Sequence, residues 1–571
     1  MTSNVFSKGK ALLTAPQSSI LSAAFVIMIM VIFSTVLGLV RQRLFLHYFE
    51  PSELSLFFAA FRIPDMVFQV LAFGMFSSAF IPVFTKTHKR DPKEAFEISM
   101  RVMSIGLTVF IIFACVFAVF ANSIYGLVAP GYSNQEHETI ANLSRILLMA
   151  QGLFVVSYVL TGVLESLRRF LIPALAPIFY NLGIILVTVL FSQKIGLAAP
   201  AIGAVFGAFL HLIIQVPAAK NLGMKFGFTL SLNEGVRKIG KLAAPRVLEL
   251  GFLQTSKMVE LYLTSIIASA SLTYYSLADS VRIMPITLFG VSLAKAALPT
   301  LSSESDDPKA YRKSFLTTWY QIMFFVLPVT AVLMVLRIPA IRLLFGTDRF
   351  DWEATVQTGL VLSVFAISIP FQASVALLSR AFYALHDTKT PVKISMIGVV
   401  VTIVMALTLT LGLSLPTWSL ALAYSIGSAF QAISLYYILS KRLNGGTLFA
   451  LKPVLTSVVS SVAAAGVMYF VIKFFDRSVW IKRLSFLTDI KALKDLNFES
   501  FVVDTRYTFN LLILTVITAL LGGVIYLAMQ YVLGSKELGA FIGMLRKRKL
   551  TPPSAKETET LSPAPADGSG V

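Results

Sequence analysis

Apolar residues run along this chain in long blocks separated by short polar gaps. A helix needs about 20 mostly apolar residues to cross the hydrocarbon core of a bilayer. Fourteen blocks approach or exceed that length: 20–40, 55–84, 102–121, 143–166, 172–193, 197–217, 243–268, 274–300, 315–336, 354–379, 392–413, 418–440, 453–474 and 508–533. They predict an all-α polytopic membrane protein with about 14 transmembrane helices, numbered here as spans 1 to 14. Spans 2, 7 and 8 contain charge and are long enough to be broken or strongly tilted.

The polar gaps orient the spans. Basic residues fill alternate gaps, among them Lys86, Lys89 and Arg90, then Arg168 and Arg169, then Lys309 and Arg312. The intervening gaps 122–142, 269–273 and 414–417 contain no Lys or Arg. Basic loops stay on the cytoplasmic side, so both termini are expected there. Span 1 follows Lys8 and Lys10 and is too long for a signal-peptide core, which predicts a retained first helix. The expected organisation is an N-terminal segment 1–19, an N-lobe 20–217, a linker 218–242 and a C-lobe 243–440. Spans 13 and 14 follow within 441–533, joined by an external loop 475–507. The tail 534–571 starts basic and becomes Pro- and Ser-rich, as a lipid-facing basic patch followed by disorder would.

A repeat underlies this organisation. Phe73-Gly74 is followed by Ala79, Pro82 and Asp91-Pro92-Lys93, and Phe289-Gly290 by Ala296, Pro299 and Asp307-Pro308-Lys309. The glycines and the triplets share one offset of 216 residues. Phe170-Leu171-Ile172-Pro173 resembles Thr388-Lys389-Thr390-Pro391 at a similar offset. Spans 1–6 and 7–12 are therefore expected to be two pseudo-repeated six-helix lobes of parallel topology, followed by two C-terminal helices. Lobes that rock about a central cavity are a transporter architecture.

Composition excludes several other classes. Hydrophobic residues make up 56% of the chain and charged residues 13%, about half the charge of a soluble domain. A soluble enzyme, a disordered protein and a disulfide scaffold do not fit. The net charge of +19 is explained by the basic loops rather than by nucleic-acid binding. Cys115 is the single cysteine, expected as a small buried apolar side chain. The five histidines have no metal-ligand spacing, and His211 in span 6 is expected to be a hydrogen-bonded helix contact. There is no Walker A, GxGxxG or HExxH motif, and neither a cofactor nor a metal is expected.

Charges inside spans are costly unless paired or hydrated, which makes them candidates for function. Arg41 closes span 1. Span 2 carries Arg62 and Asp65, span 7 Arg246, Glu249, Lys257 and Glu260, and span 8 Asp279, Arg282 and Lys295. Each opposite-sign pair is spaced i, i+3, on one helix face, where the partners can neutralise one another. Cations exceed anions in this set, which suits an anionic substrate head. The candidate cavity residues are Arg41, Arg62, Asp65, Lys257, Glu260, Asp279, Arg282 and Lys295.

Several segments resemble the MurJ (MviN) lipid II flippases of the multidrug/oligosaccharidyl-lipid/polysaccharide exporter superfamily. They are Phe33-Ser34-Thr35 through Arg41, Phe57-Phe58-Ala59-Ala60-Phe61-Arg62-Ile63-Pro64-Asp65, Ala129-Pro130-Gly131-Tyr132, Arg169-Phe170 with Pro173 and Pro177, and Phe382-Tyr383 with Asp387 through Lys393. The resemblance implies two lobes around a V-shaped cavity and a groove at spans 13 and 14 for a polyprenyl tail. It implies movement of undecaprenyl-diphosphate-linked peptidoglycan precursor between leaflets of the bacterial cytoplasmic membrane. A monomer among membrane lipids is expected, with envelope-synthesis proteins as candidate partners and resetting by membrane potential or an ion gradient.

The chain departs from the family pattern at several positions. Thr35 replaces an Arg, Gln42 and Ser55 replace acidic residues, Phe68-Gln69 replaces an Arg pair, and Ser280 replaces an Arg. Lys257, Glu260 and Lys295 are charges unusual for the family. Lipid II remains the leading expectation. The alternatives are a different polyprenyl-linked glycan and a non-transporting scaffold of envelope synthesis. A polyprenyl-dependent glycosyltransferase fits less well, because the first external loop offers only Glu50 and Glu53 as carboxylates.

Overall fold

The computed structural model describes residues 20–70, 80–443, 452–482 and 502–547. Segment 1–19, the Phe73-Gly74 to Ala79 copy of the repeat, most of the loop 475–507 and the tail beyond 547 lie outside the described residues. The described chain is helical, and its one β contact is the bridge Asp476–Val503.

Among the described residues, twelve helices are long and apolar enough to cross a membrane. The other two predicted spans are also helical but carry more charge. Span 2 is Pro51–Phe68 and resumes as Ile81–Arg90; span 7 is Glu234–Ile267. Span 8 is one continuous helix rather than a broken one: Ser271–Pro285 passes through a π-turn, Ile286–Val291, into Ser292–Ser303. The widened turn surrounds Gly290, where a Cβ would stand 2.8 Å from Cα of Ala373 in span 10.

The repeated triplets have a local physical cause. Asp91 accepts the backbone N–H groups of Lys93 and Glu94, and Asp307 those of Lys309 and Ala310. In both, Asp is the N-cap and Pro the first helical residue, so the triplet starts span 3 (Pro92–Val128) and span 9 (Pro308–Val335). The links after span 4 (Asn134–Ser166) and span 10 (Trp352–Ala384) also match. Each passes through one left-handed residue, Arg168 at φ 58° and His386 at φ 57°.

Packing repeats in the same order. Span 1 (Ile20–Tyr48) packs on span 5 (Leu171–Ile195) as span 7 packs on span 11 (Lys389–Leu407). Span 4 packs on spans 2, 3 and 6, as span 10 packs on spans 8, 9 and 12. Spans 5 and 6 approach through Gly183 and Gly207, and spans 11 and 12 through Gly398 and Gly427. Small residues let backbones close up where no hydrophobic effect drives helix association. Span 13 (Lys452–Phe475) lies on span 9, and span 14 (Thr508–Val532) lies on span 13.

Cys115 is exposed on span 3 rather than buried. An apolar run in a membrane protein is satisfied by lipid, so it does not imply protein contact. Val119 and Leu127 on the same helix are 73% and 76% exposed. His211 is buried and bonds Ser157, with Nδ1 2.6 Å from the hydroxyl.

Candidate functional site: the seam between the lobes

The lobes meet along spans 1, 2, 7 and 8. The end of the bundle holding Tyr48 and Ser271 is called the Tyr48 end, and the opposite one the Asp91 end. Span 2 runs away from the Tyr48 end and span 7 runs toward it. Two helices of opposite direction, each carrying a cation and an anion three residues apart, present complementary charges at two levels. Arg62 pairs with Glu260, and one turn deeper Lys257 lies 3.8 Å from Asp65. The expected i, i+3 pairs within each span give way to two cross-lobe pairs. The upper one is largely enclosed, whereas Lys257 and Asp65 are 44% and 32% exposed.

The lobes are also joined by hydrogen bonds that involve no carboxylate, all but those of Arg43 between neutral groups. Ser55 and Thr273 hydroxyls meet at 3.0 Å, and Thr273 also donates to the Pro51 carbonyl. Ser280 donates to Gln42 Oε1 at 3.0 Å. The Gly131 N–H donates to Ser265, and Thr347 to the Leu46 carbonyl. Arg43 donates to the carbonyls of Leu343 and Leu344, the last turn of the short helix Arg337–Phe345, where a cation also opposes the helix dipole. Three of the replaced positions, Gln42, Ser55 and Ser280, therefore belong to one seam. Gln42 and Ser280, read in the sequence as separate losses of an anion and a cation, touch each other.

Arg41 has a different environment. Its Nη1 donates to Asn181 Oδ1 at 2.9 Å, and its guanidinium lies 5.8 Å from the Phe45 ring and 6.0 Å from the Tyr180 ring. Asn181 is itself held by Ser34 and the Pro177 carbonyl. No carboxylate pairs with Arg41 among the described residues, and its Nε has no partner.

Arg282 is not in the cavity. It points into the C-lobe, 5% exposed, paired with Asp279 and lying 4.6 Å and 4.2 Å from the Phe365 and Tyr424 rings. It also donates to Ser368. Lys295 is exposed toward the Asp91 end, away from the other candidates. The structure thus gathers Arg62, Asp65, Lys257 and Glu260, places Arg41 beside Asn181 in the N-lobe, and keeps Asp279–Arg282 within the C-lobe. The side chain of Arg246 is outside the described residues. Asn181 was not anticipated, although a lone amide in an apolar run is itself a signal.

Two similarly packed six-helix lobes with charges at their seam define a membrane transporter of the alternating-access class. The chain belongs to the MurJ family: the family model described as "Lipid II flippase MurJ" matches residues 48–489. A probable lipid II flippase MurJ of Buchnera aphidicola subsp. Baizongia pistaciae is 28% identical over 432 residues, covering 73% of this chain and 83% of the relative. A solved structure of lipid II flippase MurJ in an inward closed conformation superposes with TM-score 0.72 at 23% identity, covering 89% of this chain and 98% of that one. An inward-facing multidrug resistance MATE transporter of the MOP superfamily superposes with TM-score 0.62 at 14% identity, covering 72% and 94%.

Proposed function

We propose that this protein moves lipid II, the polyprenyl-diphosphate-linked peptidoglycan precursor, from the inner to the outer leaflet of the bacterial cytoplasmic membrane. Family membership supports the substrate. The observation that carries the reading is Arg41: a guanidinium at membrane depth with no carboxylate partner among the described residues, oriented by Asn181 and flanked by aromatic rings. Such a cation is stable when water or an anion solvates it, and its planar fork suits a diphosphate.

The Asp91 end faces the cytoplasm in this reading, because the basic loops lie there. The head group enters from that side and its diphosphate settles on Arg41. Phosphate oxygens then compete with Glu260 for Arg62 and with Asp65 for Lys257, which loosens both cross-lobe pairs. What remains between the lobes are the hydrogen bonds of the seam, about 0.5–1.5 kcal/mol each between neutral groups and about 1.5–3 kcal/mol for those of Arg43. The lobes part at the Tyr48 end, the lipid leaves, and the freed cations recover their carboxylates. Membrane potential can assist the return, at about 2.3 kcal/mol per elementary charge per 100 mV.

The loss of family cations at Thr35, Phe68-Gln69 and Ser280 favours one second reading, a lipid-linked glycan with a different head. The test is complementation of a conditional lipid II flippase depletion, with lipid II in the outer leaflet measured by accessibility. Rescue that is lost in well-expressed Arg41→Ala supports the function. Failure of the well-expressed parent moves the substrate to another polyprenyl-linked glycan.

A further inference from the structure

Two turns along span 1 from Arg41, toward the Asp91 end, the N-lobe contains a cavity of about 360 Å³. Ser34 and Thr35 of span 1, Phe170 before span 5, and Pro173 and Pro177 within it form walls that are mostly apolar. One charged side chain lines it, Glu165 in the last turn of span 4. The position is unfavourable for an anion, because the carbonyl end of a helix carries negative partial charge. No hydrogen bond or ion pair engages its carboxylate among the described residues. Arg168 and Arg169 follow in the chain, and neither reaches it. A partly enclosed carboxylate lacking a cation, in a cavity large enough for a side chain, is an incomplete site.

We propose that this cavity is a binding subsite for a primary ammonium on the peptide arm of the transported head group, with Glu165 as its counter-ion. The proposal rests on the lipid II reading above. Ser34 ties the cavity to the anion anchor, since its hydroxyl accepts from Asn181, which holds Arg41. Ser34 and Arg41 are seven residues apart on one face of span 1, about 10 Å by helix rise. The wall of the cavity that Ser34 forms is therefore about 10 Å from the level of Arg41, within reach of a peptide arm extending from a head group whose diphosphate sits on Arg41. Phe170 and the two prolines cover the aliphatic part of an aminoalkyl chain, and the Ser34 and Thr35 hydroxyls offer further acceptors.

The test measures binding to the full-length protein in nanodiscs at constant sodium. Three probes are compared: a polyprenyl-diphosphate-linked muropeptide with a free side-chain amine, the same lipid with that amine acetylated, and the lipid-linked sugar without peptide. The expected result is about tenfold preference for the free amine, as one charge-assisted hydrogen bond provides. That preference should vanish in Glu165→Gln and persist in Glu165→Asp, with equal membrane levels. Equal binding of all three lipids by the parent overturns the ammonium subsite and leaves the flippase reading intact. Binding of none overturns both. A preference that survives in E165Q, or sodium binding that depends on Glu165 in the absence of amine, overturns the assignment and makes the site one for an inorganic cation.

Discussion

Arg41 and Arg282 are two guanidiniums inside membrane spans of opposite lobes, and both lie against aromatic rings. Their counter-charges separate them. Arg282 is buried in the C-lobe and paired with Asp279, whose side chain is 32% exposed. Among the described residues Arg41 bonds the Asn181 amide and pairs with no carboxylate. Position in a span therefore does not fix the environment of an intramembrane cation; its partners from other spans do. The seam holds both kinds of contact, ion pairs between spans 2 and 7 and carboxylate-free hydrogen bonds of spans 1 and 2 with the C-lobe.

The largest stability effect is expected at the Asp279–Arg282 pair, whose cation is buried. Asp279→Ala leaves Arg282 buried without its anion and should cost about 3–5 kcal/mol, read as a lowered thermal midpoint in detergent. Replacing both residues with apolar ones should recover most of the loss. An unchanged midpoint in the single variant would place Arg282 in water and remove the contrast with Arg41.

At the charged level of the seam, Glu260→Gln should free Arg62 and loosen the lobes. The expected readout is about a tenfold rise in labelling of a cysteine near the Tyr48 end, a shift of about 1.4 kcal/mol. A Cys115→Ala background avoids labelling at the exposed native thiol. Among the carboxylate-free contacts, Gln42→Asp with Ser280→Arg installs an ion pair where a neutral bond stands. It should lower that labelling by a few-fold, because partly exposed pairs contribute about 1 kcal/mol or less.

The smallest effect lies outside the membrane. Asp387 accepts the Thr390 backbone N–H, and that bond, with the Thr390 hydroxyl and Arg442 behind it, holds its carboxyl below the usual range. A depressed folded-state pKa adds stability above the unfolded value of about 3.9 and loses it as pH falls through the folded value. Asp387→Asn should therefore lower stability slightly at neutral pH and flatten its acid dependence, read from thermal midpoints between neutral and acid pH.

Much of the fold was legible because lipid imposes simple rules. Long apolar blocks gave the spans, and basic gaps ordered their loops. The Asp-Pro-Lys triplets marked two N-caps that start equivalent helices. Partners were less legible. The i, i+3 charges of spans 2 and 7 looked self-sufficient, and only the opposite direction of two helices from different lobes pairs them crosswise. Arg282 looked cavity-facing because its rotation about span 8 depends on Phe365 and Tyr424, which lie far along the chain. Asn181 and Glu165 left weaker signals, an amide in an apolar run and an anion at a helix C-terminus.

The most direct test of the account is the binding of lipid II by purified parent and Arg41→Gln protein, with thermal midpoints measured on the same samples. Binding at least about tenfold weaker in the variant, at an unchanged midpoint, is the predicted result. Equal affinity would contradict it and show that the diphosphate is held elsewhere.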